Sequence, residues 1–82
     1  MSDARLVDIC ADNYDDPGCQ PMLLFWYVNV GDHVEKGQDV CEVETAKAVV
    51  VMAAPASGTL VEILVGEGDA VESGQTLARI EV

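Results

Sequence analysis

Few side chains in this sequence could do covalent chemistry, and Lys47 stands first among them. It is one of two lysines and lies in the run Glu44-Thr45-Ala46-Lys47-Ala48. A lysine amine is a nucleophile on a flexible four-carbon stem, so an exposed one can be acylated and then move its load. The short neighbours Ala46 and Ala48 leave room for an enzyme to close around it. A strand-like run, residues 39–43, precedes it and an apolar run, residues 49–52, follows it, which puts the amine at a hairpin tip. The single histidine, His33, sits in a turn region and reads as a surface imidazole rather than a catalytic or metal-binding one. With one histidine and no paired-carboxylate motif, neither catalytic residues nor a metal site are assigned. The three cysteines, Cys10, Cys19 and Cys41, lack metal-type spacing. Cys41 reads as a small core residue. Cys10 and Cys19 flank a polar loop, where a bond between them stays open against a default of reduced thiols.

The element that must position Lys47 is visible as half of an internal repeat. Residues 31–44 align with residues 68–81 at an offset of 37, and seven of the fourteen pairs are identical. The matches are Gly31/Gly68, Asp32/Asp69, Val34/Val71, Glu35/Glu72, Gly37/Gly74, Gln38/Gln75 and Glu44/Glu81. Two copies are too few for a solenoid and suit one small domain with approximate two-fold symmetry. Turn chemistry recurs at residues 29–32 and 66–69, and again at 35–38 and 72–75, where glycine is expected to supply a positive φ. No turn-free stretch shows helical spacing, so the chain reads as all-β. Strands are expected at residues 4–9 and 22–28, with an acidic loop from Cys10 to Pro21 between them and residues 55–58 linking the halves. Val40 and Val43, like Leu77 and Ile80, lie three apart, which calls for a bulge or for strands buried on both faces. The repeat pairs Trp26/Ile63 and Val34/Val71 are expected in the core. Lys36 has Ser73 as its partner, so its turn does not require lysine and it reads as a surface residue.

Length and charge narrow the function classes. Eighty-two residues make one domain, 1–82, with half-repeats at about 22–44 and 59–81. A chain of this size has one modest core and no deep active-site cleft. The formal charge of −11 argues against nucleic acid, whose phosphates need clustered bases, and against anionic membranes. It allows partners with basic surfaces. No signal peptide or membrane-spanning run is legible, so a cytoplasmic protein is expected, or a mitochondrial matrix protein after loss of a transit peptide.

Glu44-Thr45-Ala46-Lys47-Ala48, taken with the repeat around it, resembles the attachment turn of the lipoyl domains of 2-oxo acid dehydrogenase complexes, in particular of the dihydrolipoamide acyltransferase component. The resemblance covers about Arg5 to Val82. It implies a barrel-sandwich hybrid, a flattened barrel of two four-stranded antiparallel sheets with a pseudo-two-fold axis. It implies that Lys47 carries lipoic acid in amide linkage and acts as a swinging arm. Thr45, Ala46 and Ala48 then form the attachment turn, and Glu44 helps a lipoate ligase or lipoyl transferase choose the right lysine. The implied partners are a thiamine-dependent 2-oxo acid dehydrogenase, an acyltransferase and dihydrolipoamide dehydrogenase, with the domain itself non-catalytic and monomeric. One departure is Ala46, where the family commonly has aspartate; alanine cannot cap its own turn, so a looser turn is expected. In resembling domains the loop after the first strand lies beside the attachment turn, which implies that Asp12, Asp15 and Asp16 face a basic patch on the dehydrogenase.

Two alternatives stand beside this reading. Biotin carrier domains resemble the same fold but have methionine on both sides of the lysine, where this chain has Ala46 and Ala48. An unmodified interaction module would make Lys47 dispensable.

Overall fold

The protein, seen in a computed structural model, is described for residues 5–12 and 20–82. The described residues form seven strands: β1 (Leu6–Cys10), β2 (Met22–Trp26), β3 (His33–Val34), β4 (Asp39–Glu44), β5 (Val49–Ala53), β6 (Gly58–Ile63) and β7 (Thr76–Glu81). They form two antiparallel sheets. Sheet A has the order β1-β7-β6-β3 and sheet B the order β2-β4-β5. This is the expected all-β barrel-sandwich, and the first half of the repeat lends β3 to the sheet of the second.

The symmetry is carried by hydrogen bonds. Gly31 N–H donates to the Leu60 carbonyl at 2.7 Å, and its partner Gly68 N–H donates to Leu23, the partner of Leu60, also at 2.7 Å. Asp32 Oδ2 accepts from Asn29 N–H at 2.8 Å, and Asp69 Oδ2 accepts from Gly66 N–H at 3.0 Å. Gln38 Oε1 accepts from Glu35 N–H at 2.9 Å, as Gln75 Oε1 does from Glu72 N–H at 2.8 Å. Gly31, Gly37, Gly68 and Gly74 all have positive φ, between 75° and 99°, where a side chain would be strained. Most identities in the repeat are therefore turn-builders. Val34 and Val71, fully buried, are the identity that belongs to the core.

The second sheet departs from four strands. His33–Val34 pairs with Gly58 and Thr59 in sheet A. Its symmetry mate, residues 70–71, makes only the bridge Met22↔Ala70 in sheet B. The cause is Pro21, which stands where sheet A has Gly58. Val71 N–H donates to the Pro21 carbonyl at 2.8 Å. Proline has no N–H to return, so half the exchange is missing and the pairing shrinks to a bridge.

The valines and leucines three apart are explained by bulges, which also come in symmetric pairs. The register skips Val40 between β4 and β5 and Leu77 between β7 and β1. It also skips Leu24 between β2 and β4 and Val61 between β6 and β7. The extra residue lets Val40 and Cys41, and equally Leu77 and Ala78, both turn inward. Cys41 lies in the core as expected, and burial pushes its thiol up to about 12. Trp26 and Ile63 are only partly buried against the core, which corrects the expectation for that pair. Trp26 keeps its indole at the core margin because Nε1–H donates to the Val65 carbonyl at 2.9 Å. The first two strands also run differently from expectation: β1 starts and ends later than residues 4–9, and β2 stops at Trp26.

Candidate functional site

Strands β4 and β5 hold the Lys47 hairpin. Their register closes on Glu44↔Val49, leaving residues 45–48 as the tip. Thr45 N–H donates to the Ala48 carbonyl at 2.9 Å. The return bond is made by a side chain: Ala48 N–H donates to Thr45 Oγ1 at 3.2 Å, and Lys47 N–H approaches the same oxygen at 3.4 Å. The Thr45 hydroxyl in turn donates to the Ala48 carbonyl at 2.8 Å. One threonine thus ties both ends of the tip. No described non-glycine residue has a positive φ, so the tip is not one of the mirror-image turns that suit tight hairpins. The threonine oxygen supplies what the backbone geometry does not.

Ala46 offers the turn no side-chain oxygen, as read from the sequence, and Thr45 supplies one instead. The capping is done by Thr45, one place earlier than the aspartate it was compared with. The residue was in the attachment turn as read from sequence, but its role was not recognised. The signal was present, since a threonine opening a four-residue turn is a side-chain-to-backbone hydrogen-bonding position.

Ala46, Lys47 and Ala48 are all exposed, and no described residue forms an ion pair with the Lys47 ammonium. An amine so placed is free to react and to swing. Glu44, also exposed, lies between Met22 and Val49 on the outer side of sheet B. Asp12 is exposed. Asp15, Asp16 and Cys19 lie outside the described residues, so the acidic loop and any bond from Cys19 cannot be set beside Lys47. Cys10 is exposed, with Sγ 3.9 Å from Thr76 Oγ1.

The other polar cluster belongs to a turn. His33 Nε2 and Glu35 Oε1 are 2.9 Å apart, and Ser57 Oγ donates to Glu35 Oε2 at 3.1 Å. The hydrogen bond from His33 and then that from Ser57 hold the Glu35 carboxyl below the usual carboxylate range. The serine bonds the glutamate and not the histidine, so the order is wrong for a nucleophilic triad. Ser57 also accepts from Lys36 N–H at 2.8 Å, which fixes the other lysine into this tie by its backbone.

The comparisons with known proteins agree with this geometry. The biotin/lipoyl family model, described as "Biotin-requiring enzyme", matches residues 18–80. The chain is 45% identical over 53 residues to the dihydrolipoyllysine-residue succinyltransferase component of the 2-oxoglutarate dehydrogenase complex of Staphylococcus saprophyticus, covering 65% of this chain and 12% of that protein. It is 44% identical over 55 residues to the biotin carboxyl carrier protein of acetyl-CoA carboxylase of Nostoc, covering 67% of this chain and 30% of that one. The fold superposes on the solution structure of the lipoyl domain of the 2-oxoglutarate dehydrogenase complex of Azotobacter vinelandii with a TM-score of 0.76 at 30% identity, covering 90% of this chain and 94% of that domain. The curated relatives are thus much longer than the matched region, and they include carriers of both cofactors. This chain belongs to the biotin/lipoyl attachment family, whose domains carry lipoic acid or biotin covalently on a lysine.

Proposed function

We propose that the chain is a lipoyl carrier domain in which Lys47 bears lipoic acid. The observation that carries this reading is the tip itself: an exposed amine, tied in place by Thr45 and flanked by two exposed alanines. Methionine on both sides would favour biotin, and neither position has it. The neutral amine would attack the carbonyl carbon of a carboxyl group activated by ATP as a mixed anhydride with phosphate; the amide C–N bond forms as the acyl C–O bond breaks, the nucleotide phosphate leaves and the nitrogen gives up a proton to solvent. The dithiolane, once attached, supplies the redox and acyl-transfer chemistry, and the protein supplies presentation. A backbone held by hydrogen bonds on both sides of the turn keeps the protein part still while the arm moves. Tethering raises the concentration of the arm near each partner active site without any new contact.

On this reading the partners are those of a 2-oxo acid dehydrogenase complex: a ligase that loads Lys47, a thiamine-dependent dehydrogenase, an acyltransferase and a flavin reoxidase. The likeness to a succinyltransferase component and to a lipoyl domain supports that assignment. Asp12, with Asp15 and Asp16, is proposed to speed association with a basic patch on the dehydrogenase. Replacing the three with asparagine is expected to slow reductive acylation and flatten its salt dependence; an unchanged rate at every salt concentration contradicts the assignment.

The likeness to a biotin carboxyl carrier supports a second reading, in which Lys47 bears biotin and moves carboxyl groups. Parallel incubations with lipoate ligase and biotin ligase, each with its cofactor and ATP, separate the two. Lipoyl on Lys47 is expected. Biotin on Lys47 with no lipoylation selects the second reading, and modification by neither refutes both.

A further inference from the structure

The outer faces of the two sheets differ at equivalent positions. On sheet A a row of three crosses β1, β7 and β6: Asp8 opposite Arg79, and Arg79 opposite Glu62. It is a closed ladder of charge. Arg79 Nε donates to Asp8 Oδ1 at 3.2 Å and Nη1 donates to Glu62 Oε1 at 2.7 Å. The symmetry-equivalent row on sheet B is Val51 opposite Glu42, and Glu42 opposite Phe25. Both flanking acids have become apolar and the central base has become an acid. Tyr27 extends this row, hydrogen-bonded through its hydroxyl to Glu42 and set edge-on to Phe25 with ring centroids 5.1 Å apart. Phe25, Tyr27, Val49 and Val51 are each 44–46% exposed. Isolated exposed apolar residues are ordinary, but a contiguous set on one face marks a contact surface.

Charge and position identify the occupant. The acids on this face, Glu42 and Glu44, have no described base among them, and the chain carries −11. Two copies stacked face to face would set carboxylates against carboxylates, so the face suits a different protein with an apolar centre and an Arg/Lys rim. The face lies on β4 and β5, the strands that carry the turn, and Val49 follows Ala48 directly. An enzyme that makes a bond at the Lys47 amine must close around the tip, and β4 and β5 are the strands next to it. A partner that meets only the end of a loaded arm has no such need. The other lysine sits in a polar turn with His33, Glu35 and Ser57.

We infer that Phe25, Glu42 and Val51, with Tyr27 and Val49, form the docking face for the enzyme that attaches the cofactor to Lys47. This rests on the carrier reading of Lys47. The test uses the unmodified domain as substrate for lipoate ligase with lipoate and ATP, and for biotin ligase in parallel. Initial rates are measured against domain concentration for the unaltered chain, for Phe25→Glu/Val51→Asp, and for Glu62→Gln on sheet A. The double variant copies residues that sheet A already accommodates, and Phe25→Glu alone serves if the pair unfolds. The docking face predicts a KM raised about tenfold or more with kcat little changed, as for loss of a central apolar anchor. It also predicts a KM for the unaltered chain that rises with salt, and no change in Glu62→Gln. An unchanged KM in a folded variant, or a fall in kcat alone, overturns the inference. A dimer of the unaltered chain that Phe25→Glu dissociates would assign the face to a second copy and overturn it too. If neither ligase modifies the unaltered chain, the carrier reading fails first, and the docking face fails with it.

Discussion

The Lys47 tip and its symmetry mate make the same closing bond for different ends. At the tip, Thr45 N–H donates to the Ala48 carbonyl at 2.9 Å. In sheet A the equivalent bond, from Val82 N–H to the Arg5 carbonyl, is also 2.9 Å, but no turn joins those two strands. Glu44 and Glu81 precede the two places alike. The strand pairing recurs at both places, and the four-residue turn stands at one. What is added at one of them, a four-residue turn tied by threonine and bearing an amine, is the part of the domain that symmetry and stability leave unexplained.

The largest expected effects test the symmetry itself. Leu23 and Leu60 are equivalent and fully buried, one in each sheet. Leu→Ala at either is expected to cost about 3 kcal/mol, and similar amounts at both, measured by denaturant unfolding. A difference of more than about 1 kcal/mol between them would break the equivalence of the halves. Next is a place where the halves differ. A Cβ on Gly58 would lie 2.3 Å from the Glu81 carbonyl oxygen and 2.7 Å from Ile80 Cγ2. Gly58→Ala is expected to cost about 2–3 kcal/mol in strand displacement. Pro21, at the mate position, already carries a side chain, so Pro21→Ala is expected to be far milder. Equal costs would mean that the close approach is not confined to sheet A.

A smaller effect sharpens the account of the tip. Thr45→Val keeps the shape of the side chain and removes its hydrogen bonds. It is expected to cost about 1 kcal/mol, with slower modification of Lys47. If melting and modification both match the unaltered chain, the threonine tie is dispensable and the tip is held by its strands alone. The smallest effect concerns His33, whose mate is Ala70. Its hydrogen bond is the first cause of the lowered Glu35 carboxyl. A lowered folded-state value adds stability above the usual carboxylate pKa and loses it as pH falls through the folded value. His33→Ala is therefore expected to leave melting at neutral pH nearly unchanged and to trim slightly the loss of stability on acidification. A large shift at neutral pH would mean that the turn depends on the imidazole.

The repeat made much of this legible in the sequence. Gly31, Gly68 and their neighbours are readable because turn chemistry is local, and the valine spacing left two options, a bulge or strands buried on both faces, of which the register shows the bulge. What was not legible depends on partners across the sheets. Trp26 reads as core by type and by its pairing with Ile63, but an indole N–H seeks a carbonyl and finds Val65 at the margin. The fourth strand of sheet B is lost to Pro21, a residue whose effect appears only when it is set against Gly58. The apolar row on sheet B is invisible until register puts Phe25, Glu42 and Val51 side by side.

On the proposed reading, Lys47 is the site of attachment and lipoic acid is what it carries. Intact-mass analysis and peptide mapping after incubation with lipoate ligase, lipoate and ATP test it directly, on the unaltered chain, Lys36→Ala and Lys47→Ala. One lipoyl group is expected on Lys47 in the first two and none in Lys47→Ala, which should still melt within about 0.5 kcal/mol of the unaltered chain because an exposed tip residue adds little to stability. Lipoyl on Lys36, or no lipoylation of a folded unaltered chain, would contradict it.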